Sequence, residues 1–202
     1  MTNGITINNK NYDSVLFVHI PKTAGTSVLY SLRKLGLDPW TRKYVRGHDP
    51  LHSLQENNTI KNSFVFGIVR NPYTRTYSAF KQFNKTNNMS ISFLEYLNNI
   101  MDNNINQNTP LIHLSQSFFL LDKNGNMGAE KIYRFENLKE VAQDLRIELP
   151  KLNIGSYTKE EYLNAYSNDQ ALELVNHLYD VDFSNFNYEK SYIDNRGILE
   201  NV

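Results

Sequence analysis

The segment Pro21 to Ser27 combines the residue types that bind an anion. It reads Pro-Lys-Thr-Ala-Gly-Thr-Ser, so it holds small residues, one lysine and several hydroxyl side chains. Backbone N–H groups of such a loop can converge on a phosphate or sulfate, and the N-terminus of a following helix adds roughly half a positive charge. Lys22 would supply a mobile point charge. Thr26 and Ser27 would supply hydroxyl donors and a candidate N-cap.

A strand and a helix must hold this loop in place. The apolar run at 15–20 is typical of a buried strand, and apolar residues then recur at helical spacing at Val28, Leu29, Leu32 and Leu35. The loop differs from the P-loop of nucleoside triphosphatases, G-x-x-x-x-G-K-[ST], because its lysine precedes its only glycine. The sequence therefore predicts a phosphate or sulfate site of a different kind.

A second stretch suited to an anion follows the apolar run at 64–69. Arg70 comes at the C-terminal end of this predicted strand, and ligands bind at that edge of open α/β sheets. Asn71 can cap a helix that begins at Pro72. Arginine can hold a phosphate through two parallel hydrogen bonds, and Ser78 on the same helix could add a third.

The two stretches resemble the paired nucleotide-binding motifs of sulfotransferases that use 3′-phosphoadenosine-5′-phosphosulfate (PAPS), in particular the carbohydrate-sulfotransferase branch. In that family the first loop binds the 5′-phosphosulfate and its lysine serves the leaving phosphate, while an arginine and a serine bind the 3′-phosphate. The pattern R-[DN]-P-x-[DE]-R-x-x-S is matched except at Thr74, where the family has an acidic residue. The resemblance implies that the donor is bound by Pro21, Lys22, Thr23, Ala24, Gly25, Thr26, Ser27, Arg70 and Ser78.

A histidine suits the role of general base, because its unperturbed pKa lies near neutral pH. Relatives in the family place a catalytic histidine between the two motifs, and His48 occupies that interval. We therefore predict Lys22 and His48 as the catalytic residues, with His52 as the rival base. The two histidines would share one face if the stretch were helical. His19 lies on the first predicted strand, where we expect it to be packed.

The predicted strands at 15–20, 64–69 and 131–135 are separated by helical patterns, which indicates a parallel sheet covered on both faces. The predicted fold class is α/β, a three-layer parallel sheet flanked by helices, and the resemblance implies a P-loop-like sulfotransferase fold. The length of 202 residues predicts a single domain, 1–202. Capping-box pairs predict helix starts at Ser92, Asn137 and Thr158.

Composition excludes several classes of protein. The 21 basic side chains balance 21 acidic ones, whereas a nucleic-acid-binding protein needs a basic surplus. The chain has no cysteine, which excludes disulfides and thiolate metal sites. No apolar run is long enough to span a membrane, and the first residues lack the apolar core of a signal peptide. We therefore expect a cytoplasmic protein without a membrane span.

The resemblance implies transfer of a sulfuryl group from PAPS to an acceptor hydroxyl, and we expect that hydroxyl to belong to a carbohydrate. No metal is expected, because Lys22 and the loop supply the charge that magnesium supplies in a kinase. Two alternatives stay open: a small nucleoside or sugar kinase, and a nucleotide-binding module without turnover. Tyrosine and small alcohols are further candidate acceptors. The oligomeric state is not predictable from the sequence.

Overall fold

The computed structural model describes residues 5–36, 48–55, 62–102, 110–152, 155 and 157–192. The strands of this part of the chain are β1 (Ile5–Ile7), β2 (Lys10–Tyr12), β3 (Ser14–Val18), β4 (Ser63–Val69) and β5 (Lys131–Arg134). Its α-helices are α1 (Gly25–Lys34), α2 (Leu51–Gln55), α3 (Pro72–Asn87), α4 (Phe93–Asp102), α5 (Gln116–Leu120), α6 (Leu138–Leu145), α7 (Lys159–Ala165), α8 (Asp169–Leu178) and α9 (Asp180–Phe186). Short 3₁₀ turns cover Leu111–His113 and Phe135–Asn137.

The chain divides into two compact units. The first comprises Met1–Arg70 and Gln116–Ile154, and the second comprises Asn71–Ser115 and Gly155–Val202. The expectation of one domain stays a prediction.

The first unit is built on a parallel sheet in the order β3–β4–β5. Its register pairs Phe17 with Phe66 and Ile68 with Tyr133. The three predicted strands and their parallel pairing are confirmed. The first strand ends at Val18, earlier than predicted, so that His19 and Ile20 belong to the loop that follows it.

Helices flank this sheet. Phe66 and Ile68 are fully buried in one cluster with Val28 of α1 and Val141 of α6. Burial of each such side chain contributes about 1.5–3 kcal/mol. Side chains alternate along a strand, so Gly67 faces the other way, where an added Cβ would lie 2.5 Å from the Leu120 side chain of α5. The fold is therefore α/β, as predicted.

An unpredicted hairpin precedes the sheet. β1 and β2 pair in antiparallel register, with Ile5 opposite Tyr12. The Tyr12 hydroxyl and the Lys10 ammonium each donate to the Glu130 carboxylate over 2.6 Å. Each strand has only 3 residues, too few for a periodic pattern to show in the sequence.

The second unit, as far as the structure describes it, is helical with an aromatic core that includes Tyr73, Phe93 and Tyr166. The predicted cap of α3 is confirmed, because Asn71 Oδ1 accepts from the backbone N–H of Tyr73 at 2.9 Å. Thr158 forms a complete capping box with Glu161 at the start of α7.

Two further predicted helix starts had different outcomes. Ser92 accepts a hydrogen bond from the backbone of Glu95 before α4, over 3.1 Å. In the first unit, the predicted capping box at Asn137 is wrong, because its side chain makes no capping bond. A 3₁₀ turn runs directly into α6 there, so Asn137 continues a helical run and does not begin one.

His113 is a titratable group inside the second unit. Its ring meets Tyr96 edge-on, with centroids 5.5 Å apart, and within the described residues its Nε2 is buried without a hydrogen-bond partner. Burial, together with the positive charge of Arg75, lowers the pKa of His113 to about 4. The folded protein therefore keeps this imidazole neutral under mildly acidic conditions.

We expect His113 to make stability depend on pH between about 6.5 and about 4. In this window the unfolded chain binds the proton and the folded chain does not, so the free energy of unfolding falls as the pH falls. The contribution is about 2 kcal/mol after allowance for partial exposure. Urea unfolding at pH 7 and pH 4.5 measures it, and His113→Phe is expected to flatten the dependence.

The exposed His177 provides the control, because His177→Gln removes a surface imidazole and leaves the buried His113 in place. An unchanged pH dependence in His113→Phe would show that other groups cause the acid sensitivity.

Candidate functional site

The loop between β3 and α1 is bent by two non-glycine residues in the left-handed region. Lys22 has φ 71° and Ala24 has φ 68°. Each such residue costs about 1–3 kcal/mol, and this kind of strain clusters at functional sites. The fully buried Thr23 holds the turn, because its hydroxyl donates to the carbonyl of Ile20 over 2.9 Å. Left-handed residues in a turn are typical of backbone nests, in which successive N–H groups can bind an anion.

The helix start differs from the prediction. The N-cap of α1 is Ala24, whose side chain makes no capping bond, so the predicted cap at Thr26 or Ser27 is wrong. The left-handed turn at Ala24 begins the helix early and places both hydroxyl residues inside its first turn. Ser27 is buried, and its Oγ accepts from the backbone N–H of Leu152 at 3.3 Å. A helix N-terminus without a side-chain cap suits an anion.

The positively charged side chains of Lys22 and Arg70 interact electrostatically beside this loop. The Arg70 guanidinium donates through Nη1 to the backbone carbonyl of Lys22 over 3.2 Å and lies over the Phe135 ring at 4.2 Å. Burial lowers the pKa of Lys22, and the positive charge of Arg70 lowers it further. Two cations held this close raise the free energy of the protein, and a bound anion would lower it.

Gln116 fixes the position of Arg70. The Arg70 N–H donates to Gln116 Oε1 over 2.8 Å, and Gln116 Nε2 donates to the Arg70 carbonyl over 2.8 Å. This amide is fully buried. It pairs with the backbone directly after β4, so the arginine is held at the C-terminal end of the central strand, as the sequence predicts.

His48 lies against His19. The carbonyl of His19 is 2.9 Å from His48 Nδ1, and the two ring centroids are 4.1 Å apart. A carbonyl oxygen only accepts, so Nδ1 carries the proton and Nε2 carries the lone pair of the neutral ring. This tautomer suits a general base that acts through Nε2.

The other predicted base lies in a different environment. His52 is on α2, and its ring meets that of Phe118 edge-on, with centroids 5.5 Å apart. The helix begins at Leu51 and His48 precedes it, so the two histidines do not share a helical face.

Ser78 lies on α3 in the second unit and is buried, with 8% of its surface exposed. Its position on α3 agrees with the helix that the sequence predicts from Pro72 onward. Its role in binding the donor stays a prediction.

Sequence reasoning missed the contributions of Gln116 and His19. Gln116 is separated from Arg70 by 46 positions, and no local pattern indicates that the two pair. The ring of His19 is packed as expected, against Phe17 and His48, but the residue lies in the loop after β3 and not on the strand. The available signal was its position two residues before Pro21, where the anion loop (residues 21–27) begins.

Two observations bear on metals and membranes. In residues 5–36, 48–55, 62–102, 110–152, 155 and 157–192, no cluster of three or more histidine, aspartate or glutamate side chains is placed to hold a metal ion. Across those same residues, no helix has the length and apolar character needed to cross a membrane. A cytoplasmic location stays a prediction.

Comparison with models of protein families gave a match over most of the chain. The model of the sulfotransferase family matches residues 5–189, which include the anion loop and Arg70 and cover most of each compact unit. Comparison with curated proteins found no match, and comparison with solved structures found none either. Because the family match spans most of the sequence, the chain belongs to the sulfotransferase family.

Proposed function

We propose that this protein transfers the sulfuryl group of PAPS to a hydroxyl of a carbohydrate. The family supports sulfuryl transfer in general. The observation that carries the choice of donor is the pair Lys22 and Arg70, two cations beside a loop with two left-handed residues. PAPS offers two anionic groups, the 5′-phosphosulfate and the 3′-phosphate, and the pair supplies one cation for each.

In this proposal the loop and Lys22 bind the phosphosulfate. The N–H groups after Lys22 and the N-terminus of α1 face the 5′-phosphate, which becomes more negative as the sulfuryl group leaves. Arg70 binds the 3′-phosphate through its guanidinium. The sequence motif alone supports Ser78 as a second hydrogen-bonding group for that phosphate.

The reaction needs a base for the acceptor hydroxyl. His48 Nε2 takes the proton while the acceptor oxygen forms a bond to sulfur. The bond between sulfur and the bridging phosphate oxygen breaks, and 3′-phosphoadenosine 5′-phosphate leaves with the electron pair. Lys22 stabilises the charge that develops on that oxygen. Positioning and electrostatics account for most of the catalysis in the analogous phosphoryl transfer.

Incubation with ³⁵S-labelled PAPS tests the proposal. The acceptors are a panel of monosaccharides and oligosaccharides, with tyrosine peptides and small alcohols alongside. Label is expected on a sugar, and Lys22→Met provides the inactive control. Phosphate transfer from ATP with magnesium would support a kinase. Nucleotide binding without transfer to any acceptor would support a binding module.

Arg70→Ala is expected to weaken binding of 3′-phosphoadenosine 5′-phosphate by about 10- to 100-fold, since a charge-assisted hydrogen bond contributes about 1.5–3 kcal/mol. Affinity for AMP, which lacks the 3′-phosphate, should change little. Isothermal titration calorimetry with both nucleotides measures the difference. Arg33→Ala, an exposed arginine in the last turn of α1, is the matched control. Equal losses for both nucleotides would contradict the assignment of Arg70 to the 3′-phosphate.

A further inference from the structure

Gly25 and His19 make an unusually close contact in the anion loop. A Cβ added to Gly25 would lie 1.8 Å from both Cδ2 and Nε2 of the His19 ring, and 2.7 Å from its Cε1. The imidazole therefore occupies the space of the missing side chain. The φ of Gly25 is not positive, so its backbone conformation does not require glycine. The ring of His19 is the reason that this position excludes a side chain.

The same ring contacts two other aromatic rings, one stacked on it and one tilted against it. Phe17 lies 5.6 Å away with an interplanar angle of 23°, and His48 lies 4.1 Å away at 45°. One residue thus contacts the end of β3, the first residue of α1 and the proposed base. Its backbone carbonyl also accepts the hydrogen bond from His48 Nδ1.

We propose that His19 is a positioning residue for His48. The His19 carbonyl selects the tautomer in which Nε2 can accept a proton, and its ring, seated in the space left by Gly25, holds the base beside the anion loop. The carbonyl also stabilises the imidazolium that forms during transfer, because a hydrogen bond from a charged donor is stronger than one from a neutral donor. This role corresponds to that of the carboxylate in a serine-histidine-aspartate triad.

The role of His48 as a base is part of the proposed function, and this inference rests on it. The contacts between His19 and His48 are present without bound PAPS. Its test therefore begins with measurements that need no turnover. In ¹⁵N-labelled, ligand-free protein, two-bond ¹H–¹⁵N spectra report which ring nitrogen of His48 carries the proton, and His48→Gln assigns the signal. The expected signal is that of the Nδ1–H tautomer. An Nε2–H signal would overturn the proposal.

A double-mutant cycle tests whether the His19 ring occupies the space beside Gly25. Gly25→Ala should lower Tm in the wild-type background, because the new methyl group displaces the imidazole. In the His19→Ala background the methyl group has room, so the same change should leave Tm unaltered. An equal loss of Tm in both backgrounds would overturn the proposal, since glycine would then be needed for another reason.

Turnover measurements separate positioning from folding. His19→Ala is expected to lower kcat by about a hundredfold, the loss typical of a catalytic group displaced by ~1 Å, with little change in nucleotide affinity. His19→Phe keeps an aromatic ring and should restore most of the activity. Unchanged kcat in a folded His19→Ala protein would overturn the role. If no PAPS turnover exists in the wild type, the proposed function fails, while the spectra and the Tm cycle still decide the role of His19.

Discussion

Lys22→Met is expected to lower kcat for sulfuryl transfer by about 100- to 1,000-fold, the cost of removing one group that stabilises developing charge. Affinity for 3′-phosphoadenosine 5′-phosphate should fall far less, because the loop N–H groups and Arg70 remain. Single-turnover kinetics with PAPS, together with calorimetric titration of the product nucleotide, separate the two effects. Lys34→Met, an exposed lysine at the end of α1, is the control.

The same variant should be more stable than the wild type without nucleotide. The folded-state pKa of Lys22 is lowered, so keeping this side chain charged near neutral pH destabilises the fold, and the penalty is relieved only as the pH rises through the lowered pKa toward 10.5. Methionine removes the penalty at pH 7. A variant less stable than the wild type, or one that loses turnover and affinity equally, would contradict the assigned role of Lys22.

His48→Ala should lower kcat by about 10²- to 10⁴-fold, the usual contribution of general base catalysis. Nucleotide affinity should stay close to that of the wild type, because the anion is held by the loop and Arg70. The matched variant is His52→Ala, whose ring lies against Phe118 and should not take part in the reaction. Steady-state kinetics of both variants decide between the two histidines. A large loss in His52→Ala with an active His48→Ala would reverse the assignment.

The elements that hold the site were predictable because they are local. Strands β3 and β4 are apolar runs, and buried parallel strands have this pattern. Asn71 and Pro72 mark the start of α3, since a cap and a fixed φ act within a few residues. Arg70 follows β4 directly in the sequence, so its place at the end of the central strand could be predicted as well.

The contacts that tune the site were not predictable, because they join distant parts of the chain. His48 meets His19 across 29 positions, and neither residue type indicates the pairing. The left-handed φ of Lys22 and Ala24 opposes the preference of both residues, so local propensity predicts the opposite conformation. Tertiary contacts such as the buried Thr23 hydroxyl on Ile20 fix this loop.

Thermal unfolding with 3′-phosphoadenosine 5′-phosphate is the most direct test of the central claim that the loop and Arg70 bind a 3′-phosphorylated donor. At about one hundred times its Kd, the nucleotide should add roughly 2.7 kcal/mol of stability, which corresponds to a rise in Tm of about 5–10 °C. AMP and ATP with magnesium should give smaller shifts, and Arg70→Ala should remove the preference for the 3′-phosphate. A shift with ATP and magnesium alone, or none with any nucleotide, would contradict the account.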